Sequence, residues 1–205
     1  EWFITNFIYS FLPAGPKAKM FLNEPRFPVS KELPSSRVLN HWNEVGILPD
    51  SRPDGKGWRR LTFSETVWID IIKRLRKFGF ELKKIRRVKE SLDVYNGDDE
   101  ISICPMLDFF ILVAKQSNHP VSLIVFASGI AFIALQKYID IAKSAGTIEE
   151  DYVSIDLSKL VRSRFKNADL NIDYTDYSFS PIEKEVRNAL LVDEVNSLSI
   201  KVNGN

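Results

Sequence analysis

Arg37, Asn40 and His41 lie within one short segment and have the chemistry to read the edge of a base pair. A guanidinium can donate two parallel hydrogen bonds to guanine. A carboxamide can pair with adenine through one donor and one acceptor, and an imidazole can donate to a base edge or a phosphate. Further along, Lys56, Trp58, Arg59 and Arg60 crowd a polar stretch that also holds Arg52. Cations there would hold phosphates or enter a minor groove, giving salt-sensitive affinity without reading sequence. Trp58 can stack on a sugar or pack inward against Phe63 and Trp68; inward packing is the expectation. A third group, Lys83, Lys84, Arg86 and Arg87, follows on one helical stretch where all four cannot share a face, and Lys83 and Arg86 are the contacts taken from it. Each group also has a plainer reading: a solvated helix face for the first and third, and a turn made basic for solubility for the second.

Nothing comparable supports catalysis. Cys104 and His119 are a conceivable thiol and base, but no orienting acid or oxyanion donors accompany them in a recognisable arrangement. Two histidines and one cysteine make no convincing zinc site and no intrachain disulfide. Gly55-Lys56-Gly57 lacks the Lys-Ser/Thr and the strand-to-helix context of a phosphate loop. Glu149-Glu150 and Asp98-Asp99 read as solvated surface. The expectation is a protein that is not an enzyme, with no cofactor and no metal. Cys104, beside Pro105 in an apolar run, reads as a buried thiol and fits a reducing, cytoplasmic setting. No run approaches 18 apolar residues, so no membrane span is expected.

The elements that would carry these groups are legible from spacing. Ser35 to Gly46 reads as a short helix, with serine at its start, glycine at its end, and Val38, Leu39, Trp42 and Val45 on one apolar stripe. Asp50 to Arg60, with Asp54-Gly55 and Gly57, reads as a tight basic hairpin. Thr62-Phe63-Ser64-Glu65 is a capping box opening a helix along which Val67, Ile71, Leu75 and Phe78 recur, with Gly79 as its stop. A further helix over about Glu81 to Leu92 carries Leu82, Ile85, Val88 and Leu92.

Of 205 residues carrying a net charge of +1, the charge divides unevenly along the chain. Residues 25–95 hold 16 Lys/Arg against 9 Asp/Glu, and residues 96–205 hold 10 against 16. One part is thus suited to a polyanion and the other is not. Three units follow: an N-terminal extension at 1–24 with no assigned role, read either as an arm packed on the fold or, by preference, as an upstream extension with Met20 as the native start; a basic domain at 25–95; and an acidic α+β domain at 96–205, bounded by Asn96-Gly97-Asp98-Asp99. In the last, Pro105 to Lys115 reads as an apolar helix. Leu123 to Phe126 and Ile130 to Leu135 read as a hairpin across Ala127-Ser128-Gly129, followed by a helix from Gln136 to Lys143 and a strand from Tyr152 to Leu157. Ser180-Pro181-Ile182-Glu183 opens a helix to about Leu191, and Leu198 to Val202 reads as a closing strand.

Helix, basic hairpin, helix, helix is the order of a winged helix-turn-helix, and the residues in those places resemble the MerR family. The segment from Arg37 to Pro49 (RVLNHWNEVGILP) is similar to that family's recognition helix and its exit. Gly57-Trp58-Arg59 resembles its wing, and Ile72 to Ile85 (IKRLRKFGFELKKI) resembles its basic helix ending in glycine and phenylalanine. Asn40 stands where an arginine is usual, and His41-Trp42 where two tyrosines are usual. Only about one turn is available for a helix ahead of Arg37. The resemblance implies a mainly α fold, a MerR-like winged helix-turn-helix followed by a small α+β domain. It implies sequence-specific binding of double-stranded DNA by a bacterial transcription regulator, as a homodimer, with the second domain serving oligomerisation or an unidentified small-molecule effector. Two other readings stay open: an excisionase-like architectural factor of a mobile element, and an adaptor whose winged helix docks a protein.

Overall fold

The computed structural model describes residues 16–30, 33–49, 52, 57–93, 105–116 and 120–167. The Asp54-Gly55 turn, Lys56, the boundary at 96–99, Cys104, His119, the helix read from Ser180 and the strand read at Leu198 to Val202 lie outside them.

Among the described residues the basic half is built of four helices, one of them opened by a side-chain cap, and a small two-stranded ribbon. α1 (Pro16–Asn23) precedes β1 (Phe27–Pro28) and then α2 (Ser36–Glu44), and between the last two Leu33 N–H donates to the Ser30 carbonyl (3.1 Å). Ser35 sits at the start of α2 in extended backbone, yet its side chain makes no capping bond; Gly46, at φ 76°, ends the segment as expected. Leu39 and Trp42 are buried, and the Trp42 carbonyl accepts from both Ile47 N–H (2.9 Å) and Leu48 N–H (3.2 Å). That exit seats Ile47 and Leu48 in the core, where the Trp68 indole donates to the Ile47 carbonyl at 2.7 Å. Val38, expected on the apolar stripe, is 37% exposed. Val38 stands about 40° from Trp42 but a full step of about 100° from Leu39 around the helix, so it falls at the edge of the buried stripe and is only partly covered.

β2 (Arg60–Leu61) pairs antiparallel with β1, Phe27 opposite Leu61 and Pro28 opposite Arg60. Among the described residues the strand leaving the basic stretch therefore finds its partner ahead of α2, not within a hairpin of its own. α3 (Phe63–Lys77) opens on the expected box: Glu65 N–H donates to Thr62 Oγ1 (3.0 Å), and Thr62 N–H donates back to Glu65 Oε2 (2.6 Å). Val67, Ile71 and Leu75 are fully buried, whereas Phe78, the last of that series, is 61% exposed past the helix end. α4 (Leu82–Leu92) buries Ile85, Val88 and Leu92 and leaves its cations outside.

The second half is an antiparallel sheet of order β4-β3-β5, made of β3 (Val121–Phe126), β4 (Ala131–Leu135) and β5 (Tyr152–Asp156), with α5 (Pro105–Gln116), α6 (Gln136–Ser144) and α7 (Leu157–Asn167). Central β3 is covered on both faces. Val121, Leu123 and Val125 enter the main core, while Ser122 and Ile124 turn the other way, toward α6, where Ser122 Oγ donates to Gln136 Oε1 (2.8 Å). The hairpin turns at Gly129 (φ 89°), as its sequence indicates.

Two helices escape the sequence reading, α1 and α7, and both tie the halves together. Phe63 of α3 lies 4.5 Å from the Phe165 ring of α7, and Phe21 of α1 packs on both, 5.4 Å from Phe63 and 6.1 Å from Phe165. Arg164 Nε donates to Asp70 Oδ2 at 2.6 Å across α7 and α3. Buried Asp108 of α5 accepts from Asn23 Nδ2 (2.9 Å) and from Ser64 Oγ, joining three helices through one carboxylate. The buried apolar residues form one cluster that runs through both halves, and each large side chain in it contributes about 1.5–3 kcal/mol. Phe21 and Leu22, assigned no role from sequence, belong to that core, and Asn23 is buried beside them.

Candidate nucleic-acid interface

α2 presents a face of exposed polar groups. Arg37, Asn40, His41 and Glu44 are all exposed on the side away from the buried Leu39 and Trp42, with Val38 at the edge of that face. His41 Nδ1 lies 3.6 Å from Glu44 Oε2, one turn on. Beside them the root of the basic stretch comes close: Arg52 Nη2 donates to Asn40 Oδ1 at 3.1 Å and Nη1 donates to the Gly57 carbonyl at 3.2 Å. A single guanidinium thus spans from the helix to the residue before Trp58.

Trp58 is 98% exposed. The expected packing against Phe63 and Trp68 does not occur; the ring stands in solvent. Arg59 does the reverse. It is only 8% exposed, and its Nη2 donates to the Pro49 carbonyl. Arg60 is exposed again. Consecutive side chains of extended backbone point to opposite sides, so burying Arg59 forces both neighbours outward. Arg59 therefore holds the exit of α2 against the start of β2 instead of offering a free cation.

The basic helix α4 divides its charges between two sides. Arg86 lies beside Gly46, its guanidinium 3.8 Å from where a β-carbon on that glycine would sit, and its Nε donates to Glu90 Oε1 (3.0 Å). Lys83 is exposed one helical turn before it. On the other side Arg87 Nη1 donates to the Ser128 carbonyl (3.2 Å), and Gly129 sits against Lys84 and Arg87. Of the residues picked from sequence, the fold gathers Arg37, Asn40, His41 and the root of the Trp58–Arg60 segment around α2, with Arg86 at that helix's exit. It turns Arg59 inward, and Lys56 is not among the described residues. Sequence reasoning passed over Val38, whose methyls suit a thymine methyl group, and left Arg52 undecided. The signal for Arg52 was its place in the same basic stretch.

Among the described residues no group of His, Cys, Asp and Glu is arranged to hold a metal, and no helix is long and apolar enough to cross a membrane.

Residues 35–92 match the profile of the MerR HTH family regulatory proteins, a segment running from the start of α2 to the last residue of α4. The N-terminal half therefore carries a MerR-family helix-turn-helix. A Haemophilus influenzae protein described as an uncharacterized HTH-type transcriptional regulator is 33% identical over 67 residues, covering 33% of this chain and 48% of that protein. The chain spans about half the length of the curated relative it matches. No solved structure matches.

Proposed function

We propose that this chain is a DNA-binding transcription regulator of the MerR type, in which α2 enters the major groove of a duplex. The observation that carries the reading is the face of α2: Arg37, Val38, Asn40 and His41 stand exposed on a helix whose other side is locked into the core, within the segment that matches the family. Arg37 donates to guanine or to a flanking phosphate, and Asn40 and His41 address base edges. Trp58 and Arg60 extend the contact as a wing over the adjacent backbone, with Lys56 joining them by its place in the stretch, and Lys83 and Arg86 hold phosphate beyond the helix exit. Arg59 supports that wing from within. The description of the Haemophilus influenzae relative as a transcriptional regulator supports the same regulatory role. Such a protein catalyses no reaction and works where the DNA is, in the cytoplasm.

The test is binding of the full chain to duplexes selected from a randomised library, followed by fluorescence anisotropy over a range of salt. Affinity falls steeply as salt rises. Arg37→Ala and Arg60→Ala each weaken binding, and the Arg60 variant reduces the salt slope by about 1 while weakening all sequences alike. Binding that is indifferent to both substitutions, or no salt-sensitive duplex binding at all, rejects this surface.

A further inference from the structure

Asn40 is the one amide on the exposed face of α2, and a carboxamide is an ambiguous reader. Its oxygen and nitrogen differ little in size, and a half-turn about the last side-chain bond exchanges acceptor for donor. A free Asn on a groove-facing helix can therefore meet adenine in one orientation and an acceptor-only base edge in the other. Here the ambiguity is removed. The guanidinium of Arg52 can only donate, so the Asn40 atom 3.1 Å from Arg52 Nη2 must be the oxygen. Arg52 is in turn steadied by its second bond, from Nη1 to the Gly57 carbonyl. The carbonyl has two lone pairs. Arg52 engages one, leaving the other, together with the Nδ2 amide protons, for a base. An acceptor and a donor side by side in fixed order match the N6 amino group and N7 of adenine.

We propose that Arg52 is a specificity-determining positioning residue: by clamping the Asn40 oxygen from the basic stretch, it gives the amide one polarity and makes it read adenine at one position of the site. This rests on the DNA-binding reading above. Arg52 acts through Asn40 and does not itself touch the base. Two features strengthen the role. A charged donor on the carbonyl polarises the amide and strengthens the bonds made by its N–H groups. A side chain held before binding also loses less freedom on binding. The fork needs two donors at fixed spacing, one for Gly57 and one for Asn40, which a lysine ammonium reproduces poorly.

The experiment compares the full-length protein with Arg52→Ala, Arg52→Lys and Asn40→Ala. Each is put through selection from a randomised duplex library, and then Kd is measured by anisotropy on the best wild-type duplex and on its single-position replacements. Circular dichroism melting checks that each variant is folded. The expected result is an adenine preference at one position that Asn40→Ala abolishes. Arg52→Ala flattens the same position by on the order of tenfold, other positions keep their preferences, and Arg52→Lys recovers only part. A uniform loss over all duplexes in Arg52→Ala, with a shallower salt dependence and the preference intact, overturns the proposal and makes Arg52 a phosphate contact. Sequence-selective binding in which Asn40→Ala changes no position, or changes one that prefers another base, overturns it while leaving the proposed function standing. Absence of salt-sensitive duplex binding in the wild type overturns both.

Discussion

Trp58 and Trp68 are ten positions apart and have opposite fates. Trp68 is 1% exposed with its indole N–H bonded to the Ile47 carbonyl; Trp58 is 98% exposed. Trp68→Ala should lower the stability of the chain by about 3–5 kcal/mol, whereas Trp58→Ala should stay within about 0.5 kcal/mol, both read from urea midpoints. If Trp58 serves as a contact, its removal weakens duplex binding without moving that midpoint; a large stability loss at Trp58 would mean the ring is buried in solution. The neighbouring Arg59 shows why sequence alone inverted this pair. Three successive residues with extended character, Trp-Arg-Arg, must alternate sides, but which side faces the core depends on register. That register comes from β1, whose Phe27 and Pro28 fix Leu61 and Arg60 in place from more than thirty residues upstream. No local pattern could announce it. Arg37, Asn40 and His41 were legible because helical spacing around Leu39 and Trp42 determines which side chains are left outside.

Elements with local start signals were readable, and those without were not. The capping box at Thr62 and the glycine turn at Gly129 announce α3 and the β3–β4 hairpin within four residues each. α7 follows β5 with no break, so its leading Leu157 also extends the alternation of the strand. Its one marker is Asp156, whose Oδ1 accepts from Lys159 N–H at 2.8 Å as a helix cap does. α1 offers only eight residues, too few for a periodic stripe to stand out. Gly129 has a second duty that the turn signal hides. A β-carbon there would lie 2.9 Å from the Lys84 carbonyl and 3.2 Å from Arg87 Cβ, on backbone at φ 89°. Gly129→Ala is therefore strained twice, by left-handed backbone and by contact with α4. It should cost more than the roughly 1–2 kcal/mol of the backbone alone. Thermal melting reads the loss; an unchanged melting temperature would show that the hairpin does not rest on α4 in solution.

Across the whole molecule, the asymmetry of charge and the continuity of the core point in different directions. Charge is a property of the surface, and dividing it near residue 95 marks what each half can meet. The apolar cluster takes no notice of that line: Phe63 packs in one three-ring group with Phe21 and Phe165, and Asp70 is bonded to Arg164. A fragment of residues 25–93 would leave Phe63 and Leu22's former neighbours bare and Asp70 without Arg164. It should melt well below the full chain, or without a cooperative transition, by circular dichroism. A fragment that keeps the full chain's melting temperature would show that the family segment folds by itself. Sequence patterns place the segment well but say little about its dependence on the rest, because apolar periodicity tells which face of a helix is covered and not by which partner.

The carboxylate of Asp108 has a consequence for how the protein is made. Asn23 is synthesised 85 residues before its acceptor exists, an interval of roughly 4–17 s at ordinary synthesis rates. During that time Ser64 is also made and released without the group it will bond. α2 and its basic flank are thus complete while the carboxylate that pins their supporting helices is still untranslated, so a chain stalled before Asp108 carries the proposed DNA-binding surface without the buried lock beneath it.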